Sequence, residues 1–122
     1  MANHIVWFDI PVKDLERANR FYGAVLGCTI KTESFGGVDI GVLPHEDDDV
    51  AGCLHVSDTD KPSDHGPLMY FNVNGRLDAA VAEVEKQGGK VLTQKESIGP
   101  WGYRAIVLDS EGNRIALHSE TD

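Results

Sequence analysis

The stretch IVWFDIPVKDLERANRFYGAVLG, residues 5–27, changes its hydrophobic period partway along, from that of a strand to that of a helix. Before Pro11 the side chains alternate, so a strand is expected over residues 4–12. Successive side chains of a strand point to opposite faces. Val6, Phe8 and Ile10 therefore share one face, and Trp7 and Asp9 take the other. Pro11 is expected to end the ladder because it has no N–H to donate. From Asp14 the period becomes helical: Leu15, Ala18, Tyr22, Val25 and Leu26 recur on one side. Asp14 suits the N-cap, Glu16 suits the positive end of the helix dipole, and Gly27 suits the stop.

After this helix, short strands fit residues 28–33, 38–43 and 50–56, broken at GG and PHEDDD. A polar linker spans residues 59–65, after which the pattern restarts. LMYFNV reads as a strand, LDAAVAEVEKQGG as a helix, and KVLTQ, GYRAIVLD and NRIALHS as three further strands. The halves also correspond residue by residue: VWFDI answers MYFNV, Leu15 answers Leu77, and GCLH answers IALH. Cys53 and Ala116, His55 and His118, and Trp7 and Tyr70 are each 63 residues apart. Counting from the strand-closing Val12 and Val73, an offset of 61, pairs Trp7 with Leu68 instead. A duplicated βαβββ unit follows from this internal repeat. The expected architecture is one α+β domain over residues 1–122, with modules 1–58 and 66–122. Mixed sheets would curve around a cup, with the helices on the outer face.

Parity sorts the strand residues. Val6, Phe8, Ile10, Leu54, Val56, Met69, Phe71, Val73, Ile115 and Leu117 are all apolar and are assigned to the helix side. Trp7, Asp9, Cys53, His55, Leu68, Tyr70, Asn72, Ala116 and His118 fall on the other side. That second set mixes aromatic surface with a carboxylate, two imidazoles, a phenol and an amide, which is the lining of a small-molecule site.

Composition narrows the partners. The formal charge of −9 argues against nucleic acid and anionic membranes, since both require a basic patch. No apolar run approaches the ~18 residues of a membrane span. Cys28 and Cys53 are too few for a disulfide framework, and no signal peptide is visible at the start, so a reducing cytoplasm is expected.

The strand–helix opening, the paired modules and DSEGNRIALHS (residues 109–119) together resemble the vicinal oxygen chelate superfamily. That superfamily includes glyoxalase I, extradiol dioxygenases and the bleomycin and fosfomycin resistance proteins. The WFDIPV opening resembles a glyoxalase-like branch of unknown specificity. The resemblance implies a small-molecule site between modules. Enzymes of the group hold a divalent metal with His, Gln and Glu, and those positions here carry Trp7, Leu68, Ala116 and Cys53. Trp, Leu and Ala cannot ligate a metal, so the usual site is expected to be empty and no cofactor is expected there.

Two readings of the polar residues stay open. Asp9, His55, Tyr70 and His118 are candidate acid–base and orienting groups, with His118 expected near His55 and within hydrogen-bond reach of Asp9 or Tyr70. Alternatively Asp9, His55 and His118 have the composition of a displaced facial metal triad. Trp7 and Tyr70 could stack on a planar ligand, fill the space of an absent metal, or seal a subunit interface. Leu68, Asn72, Cys53 and Ala116 would line the cup, with Trp101 and Tyr103 near its rim. The functional expectations are a glyoxalase-like enzyme acting on a small polar metabolite, or a metal-free ligand-sequestering protein of resistance type. Open sheet edges and exposed aromatics predict a homodimer.

Overall fold

The computed structural model describes residues 3–122. In chain order the elements are β1 (Trp7–Pro11), α1 (Leu15–Leu26), β2 (Lys31–Phe35), β3 (Val38–Val42) and β4 (Ala51–His55). They are followed by β5 (Met69–Asn72), α2 (Leu77–Lys86), β6 (Lys90–Ser97), β7 (Tyr103–Leu108) and β8 (Arg114–Ser119). A single 3₁₀ turn, Gly99–Trp101, sits between β6 and β7. The strands form two four-stranded mixed sheets, ordered β1-β4-β3-β2 and β5-β8-β7-β6. In each, the first strand runs parallel to the last and the other pairs are antiparallel. This is the duplicated βαβββ unit.

Helix α1 starts where its sequence dictates: the Asp14 side chain accepts from the Arg17 amide, and Gly27 closes the helix in the left-handed region. Its apolar stripe buries Ala18, Phe21, Tyr22 and Val25. Both helices and the helix sides of both sheets feed one shared core, in which the rings of Phe8 and Tyr22 each pack against Phe71.

The second module grips α1 at both ends. Glu111 accepts from the Lys13 and Asp14 amides at the N-terminal end, and Arg76 Nη1 donates to the Val25 carbonyl near the C-terminal end, at 2.6 Å. Anion at the positive end and cation at the negative end is the arrangement a helix dipole favours. The DSEGN turn supplies two further ties, Tyr22 Oη to Asp109 at 2.6 Å and Asn113 Nδ2 to the Pro11 carbonyl at 2.9 Å.

Several local expectations are corrected. β1 begins only at Trp7 and β4 ends at His55, so Val6 and Val56 stand beyond the paired ladder and are 70% and 52% exposed rather than core. β2 starts at Lys31 rather than at residue 28, and β6 runs on to Ser97 through register shifts. Pro11 does not end the pairing, because the Val12 amide still donates to the His55 carbonyl at 2.8 Å. Proline is tolerated there because alternate backbone groups point away from the neighbour, and β1 is an edge strand.

The ladders also decide the register of the repeat. Asp9 lies opposite Cys53, and Tyr70 lies opposite Ala116. Tyr70 is therefore the counterpart of Asp9, and Leu68, not Tyr70, is the counterpart of Trp7.

Candidate functional site

The face of each sheet turned away from the helices is open. On the second sheet, β8 places Ile115 and Leu117 in the core, so parity turns Ala116 and His118 to the other side, where His118 is half-buried and Ala116 is fully buried and so presents no surface to a ligand. β7 does the same with Ala105 and Val107 inward, which leaves Arg104 outward beside His118, its ladder partner. Tyr70 joins them from β5 and is 47% exposed. Above this patch the 3₁₀ turn carries Trp101, 73% exposed, and the turn's position is fixed by Gly102. Gly102 has φ 103° and a backbone so close to β8 that a Cβ would lie 2.4 Å from the Ser119 carbonyl oxygen. Tyr70, Ile98, Trp101, Arg104 and His118 line a cavity of about 600 Å³.

The hydrogen bonds of this cavity define its chemistry. His118 Nε2 lies 2.6 Å from the Trp101 carbonyl oxygen. A carbonyl only accepts, so Nε2 carries hydrogen, and in the neutral ring Nδ1 keeps its lone pair. Arg104 donates through Nε to Glu96 at 2.9 Å and through Nη1 to the Tyr70 hydroxyl oxygen. The guanidinium therefore has three N–H groups left, one on Nη1 and two on Nη2. Having accepted from Arg104, the Tyr70 hydroxyl is left to donate its own hydrogen. The Tyr70 and His118 rings meet edge to face, 6.2 Å between centroids.

The first sheet's open face is arranged differently. Asp9 Oδ1 accepts from Trp7 Nε1 at 2.7 Å and from the Cys53 thiol at 3.3 Å. The Trp7 bond, with Cys53 and His55 assisting against burial, holds the Asp9 carboxyl below its ordinary range. Burial and the Asp9 carboxylate push the Cys53 thiol up to about 12, so it stays protonated at neutral pH. His55 Nε2 is buried and has no hydrogen-bond partner among the described residues.

Among the expected site residues, Tyr70, Trp101 and His118 come together, while Trp7, Asp9, Cys53 and His55 form a separate group on the other sheet. His118 bonds Trp101, not Asp9 or Tyr70, and no hydrogen bond or ring contact among the described residues joins it to His55. Among the described residues, the side-chain hydrogen bonds that join the two modules lie on the helix side or at the DSEGN turn, and none bridges the open faces. Asp9, His55 and His118 do not converge, and no three His, Cys, Asp or Glu side chains among the described residues are grouped to hold a metal.

The superfamily's own metal positions fit no better. Leu68 and Ala116 have no donor atoms, the Trp7 N–H is committed to Asp9, and Cys53 by itself is a single ligand, too few for a divalent site. Leu68 and Asn72 line a second, largely apolar cavity of about 720 Å³ between the modules, together with Phe8, Cys28 and Tyr70, which borders both cavities. Tyr103 packs against the core rather than at the rim, because β7 parity turns it inward with Ala105 and Val107. The same parity applied to YRAIVL would have found Arg104, which the sequence reading passed over. Glu96 and Ile98 carry no comparable signal.

No helix among the described residues is long and apolar enough to cross a membrane. In fold, the chain is similar to a glyoxalase/bleomycin resistance protein from Albidiferax ferrireducens, with TM-score 0.74, 18% identity, and coverage of 96% of this chain and 98% of that one. It is also similar to a variant of glyoxalase I from Zea mays, with TM-score 0.70, 19% identity, and coverage of 94% of this chain and 45% of that one.

In sequence it is 28% identical over 128 residues to a glyoxylase-like domain-containing protein of Didymella fabae, covering 96% of this chain and 94% of that protein. It is 28% identical over 109 residues to the CFP32 protein of Mycobacterium bovis, covering 88% of this chain. The chain spans 41% of the length of that mycobacterial relative. Residues 2–117 match the sequence model of one family, so the chain belongs to the glyoxalase/bleomycin resistance protein/dioxygenase superfamily.

Proposed function

We propose that this is a glyoxalase-type small-molecule-binding protein whose ligand sits on the open face of the second sheet and which works without the superfamily's usual metal set. The observation that carries the reading is the 600 Å³ cavity in which Tyr70, Trp101, Arg104 and His118 converge. It combines an apolar wall with few polar groups, the usual make-up of a ligand pocket, and its volume lies in the usual range of roughly 300–1,000 Å³. Family membership supports small-molecule binding in general terms. The lack of ligating atoms at Leu68 and Ala116 supports independence from the usual metal.

These groups also suit proton transfer. Tyr70 and Arg104 present N–H and O–H groups that would polarise a ligand oxygen, and His118 Nδ1 would take up a proton. An enzyme acting on a small polar metabolite would use His118 as base and Tyr70 as donor, while a sequestering protein would use the same contacts for binding alone. Asp9 and His55 would act from the first sheet's face.

The chain is proposed to work as a homodimer. Exposed aromatics on both faces and edge strands on both sheets would be covered by a second copy. Metal analysis of the purified protein, together with light scattering, tests these points. Substoichiometric Fe, Ni, Mn and Zn with dimeric mass is expected. A stoichiometric tightly held metal would overturn the metal-independent reading, and monomer mass at micromolar concentration would overturn the dimer.

A further inference from the structure

The geometry points to a specific ligand class: a monocarboxylate carrying a flat apolar body, gripped end-on by Arg104. This rests on the second sheet's open face being the ligand site. Glu96 fixes the Arg104 guanidinium at Nε and Tyr70 fixes it at Nη1. Three N–H groups remain on Nη1 and Nη2, and these two nitrogens, the guanidinium fork, lie in one plane at a spacing that suits the two oxygens of a carboxylate. A guanidinium already held on two sides loses little further freedom when it binds. The Tyr70 hydroxyl, its lone pair taken by Arg104, adds another donor beside the fork.

Charge sets the valence. Arg104 and Glu96 together are neutral, and the chain as a whole carries −9. The remaining Arg104 and Tyr70 donors can hold one negative charge by hydrogen bonding, whereas a dianion such as a phosphate monoester would set a second charge against the Glu96 carboxylate with no cation to offset it. The wall sets the body. Ile98, Trp101 and the Tyr70 ring are the apolar lining, and Trp101 is exposed enough to stack on a planar group. The first sheet has no counterpart of this grip. Ile40 lies opposite His55 where Arg104 lies opposite His118.

The test uses benzoate, benzamide and phenyl phosphate as probes on the intact protein. Binding is read from the Trp101 indole N–H resonance, assigned with Trp101→Phe, and from calorimetry. Benzoate should saturate this resonance and bind at least tenfold more tightly than either other probe. Arg104→Gln should reduce benzoate affinity at least tenfold and abolish the preference over benzamide. Arg104→Lys, which keeps the charge without the fork, should fall between Arg104→Gln and the unaltered protein while retaining the native melting profile. Benzamide or phenyl phosphate binding at Trp101 as tightly as benzoate would overturn the ligand class and leave the site standing. Benzoate that moves only Trp7, or no resonance at all at millimolar concentration, would overturn the site itself.

Discussion

Replacing Glu111 by Gln tests what holds the two modules together. The Glu111 side chain is fully buried yet accepts five hydrogen bonds, from the Lys13 and Asp14 amides, twice from Arg17 and once from Ser110. Burial opposes ionisation, but Arg17, the two amides and Ser110 outweigh it and hold the carboxyl at about 2 against an ordinary 4.5. A folded-state value below the unfolded one adds stability that is present above pH 4.5 and lost as pH falls towards 2. The full difference corresponds to about 3 kcal/mol, an upper figure because Arg17 is partly exposed. Glu111→Gln leaves the Arg17 guanidinium without its anion and turns an amide N–H₂ towards groups that also donate. A loss of about 2–3 kcal/mol at pH 7 is expected, or roughly 10 °C in melting temperature for a domain of this size. Urea unfolding followed by circular dichroism, at fixed protein concentration and at pH 7, 5 and 3, measures it. The native protein should lose stability between pH 5 and 3, and the variant should lose distinctly less over that interval. A variant within 0.5 kcal/mol of native at pH 7 (the usual range for a surface substitution), or parallel pH slopes, would show that Glu111 does not hold the modules together.

Three further outcomes follow from the sites. His118→Ala should fold normally, costing less than the ~2–5 kcal/mol of truncating a large core side chain, because it stands on the open face; binding at the second-sheet cavity should weaken in calorimetry. Gly102→Ala should lower the melting temperature and shift the His118 imidazole resonances, since a Cβ 2.4 Å from the Ser119 oxygen forces the turn, and the Trp101 carbonyl with it, to move. Cys53 should resist iodoacetamide at pH 8 in the folded protein and react readily once unfolded, as its thiol is held near 12; labelling at similar rates in both states would contradict that value.

Strand parity and helix caps could be read from the chain because they depend on neighbours in sequence. Ile115, Leu117, Asp14 and Gly27 all behave as local rules require. The failures share a different cause. Val6 and Val56 have the right parity, but the paired ladders stop one residue short of them, and ladder length is set by partner strands. Asp109, Glu111 and Asn113 read as an ordinary polar turn, yet all three are buried because they close on Pro11, Arg17 and Tyr22, roughly ninety to a hundred residues earlier. The Trp101 carbonyl as the partner of His118 depends on a 3₁₀ turn that no periodicity announces. Arg104 obeys the same parity as its ladder partner His118, but its pairing with Glu96 and Tyr70 depends on strand partners that sequence spacing does not reveal.

The clamp and the site are linked through the helix sides. Glu111 and Arg76 bind the second module to the two ends of α1, and the core is continuous across the modules, with Phe8 and Tyr22 both packed on Phe71. The interaction between halves is thus made by the faces that carry helices, which leaves both opposite faces free of structural duty. Duplicated units relieved of that duty can diverge there, and the ladder pairs record how far they have done so: Asp9 against Tyr70, Cys53 against Ala116, Ile40 against Arg104. In the first module the Trp7 N–H and the Cys53 thiol are both spent on Asp9 Oδ1, while Asp9 Oδ2 and the buried His55 Nε2 have no partner among the described residues, so what that face keeps unspent is chiefly acceptors. In the second, Arg104 keeps free donors, Tyr70 keeps its hydrogen and His118 keeps a lone pair. Only a face with unspent donors and a base has a reason to hold a ligand, which is why the second sheet is the stronger candidate of two surfaces built on one plan.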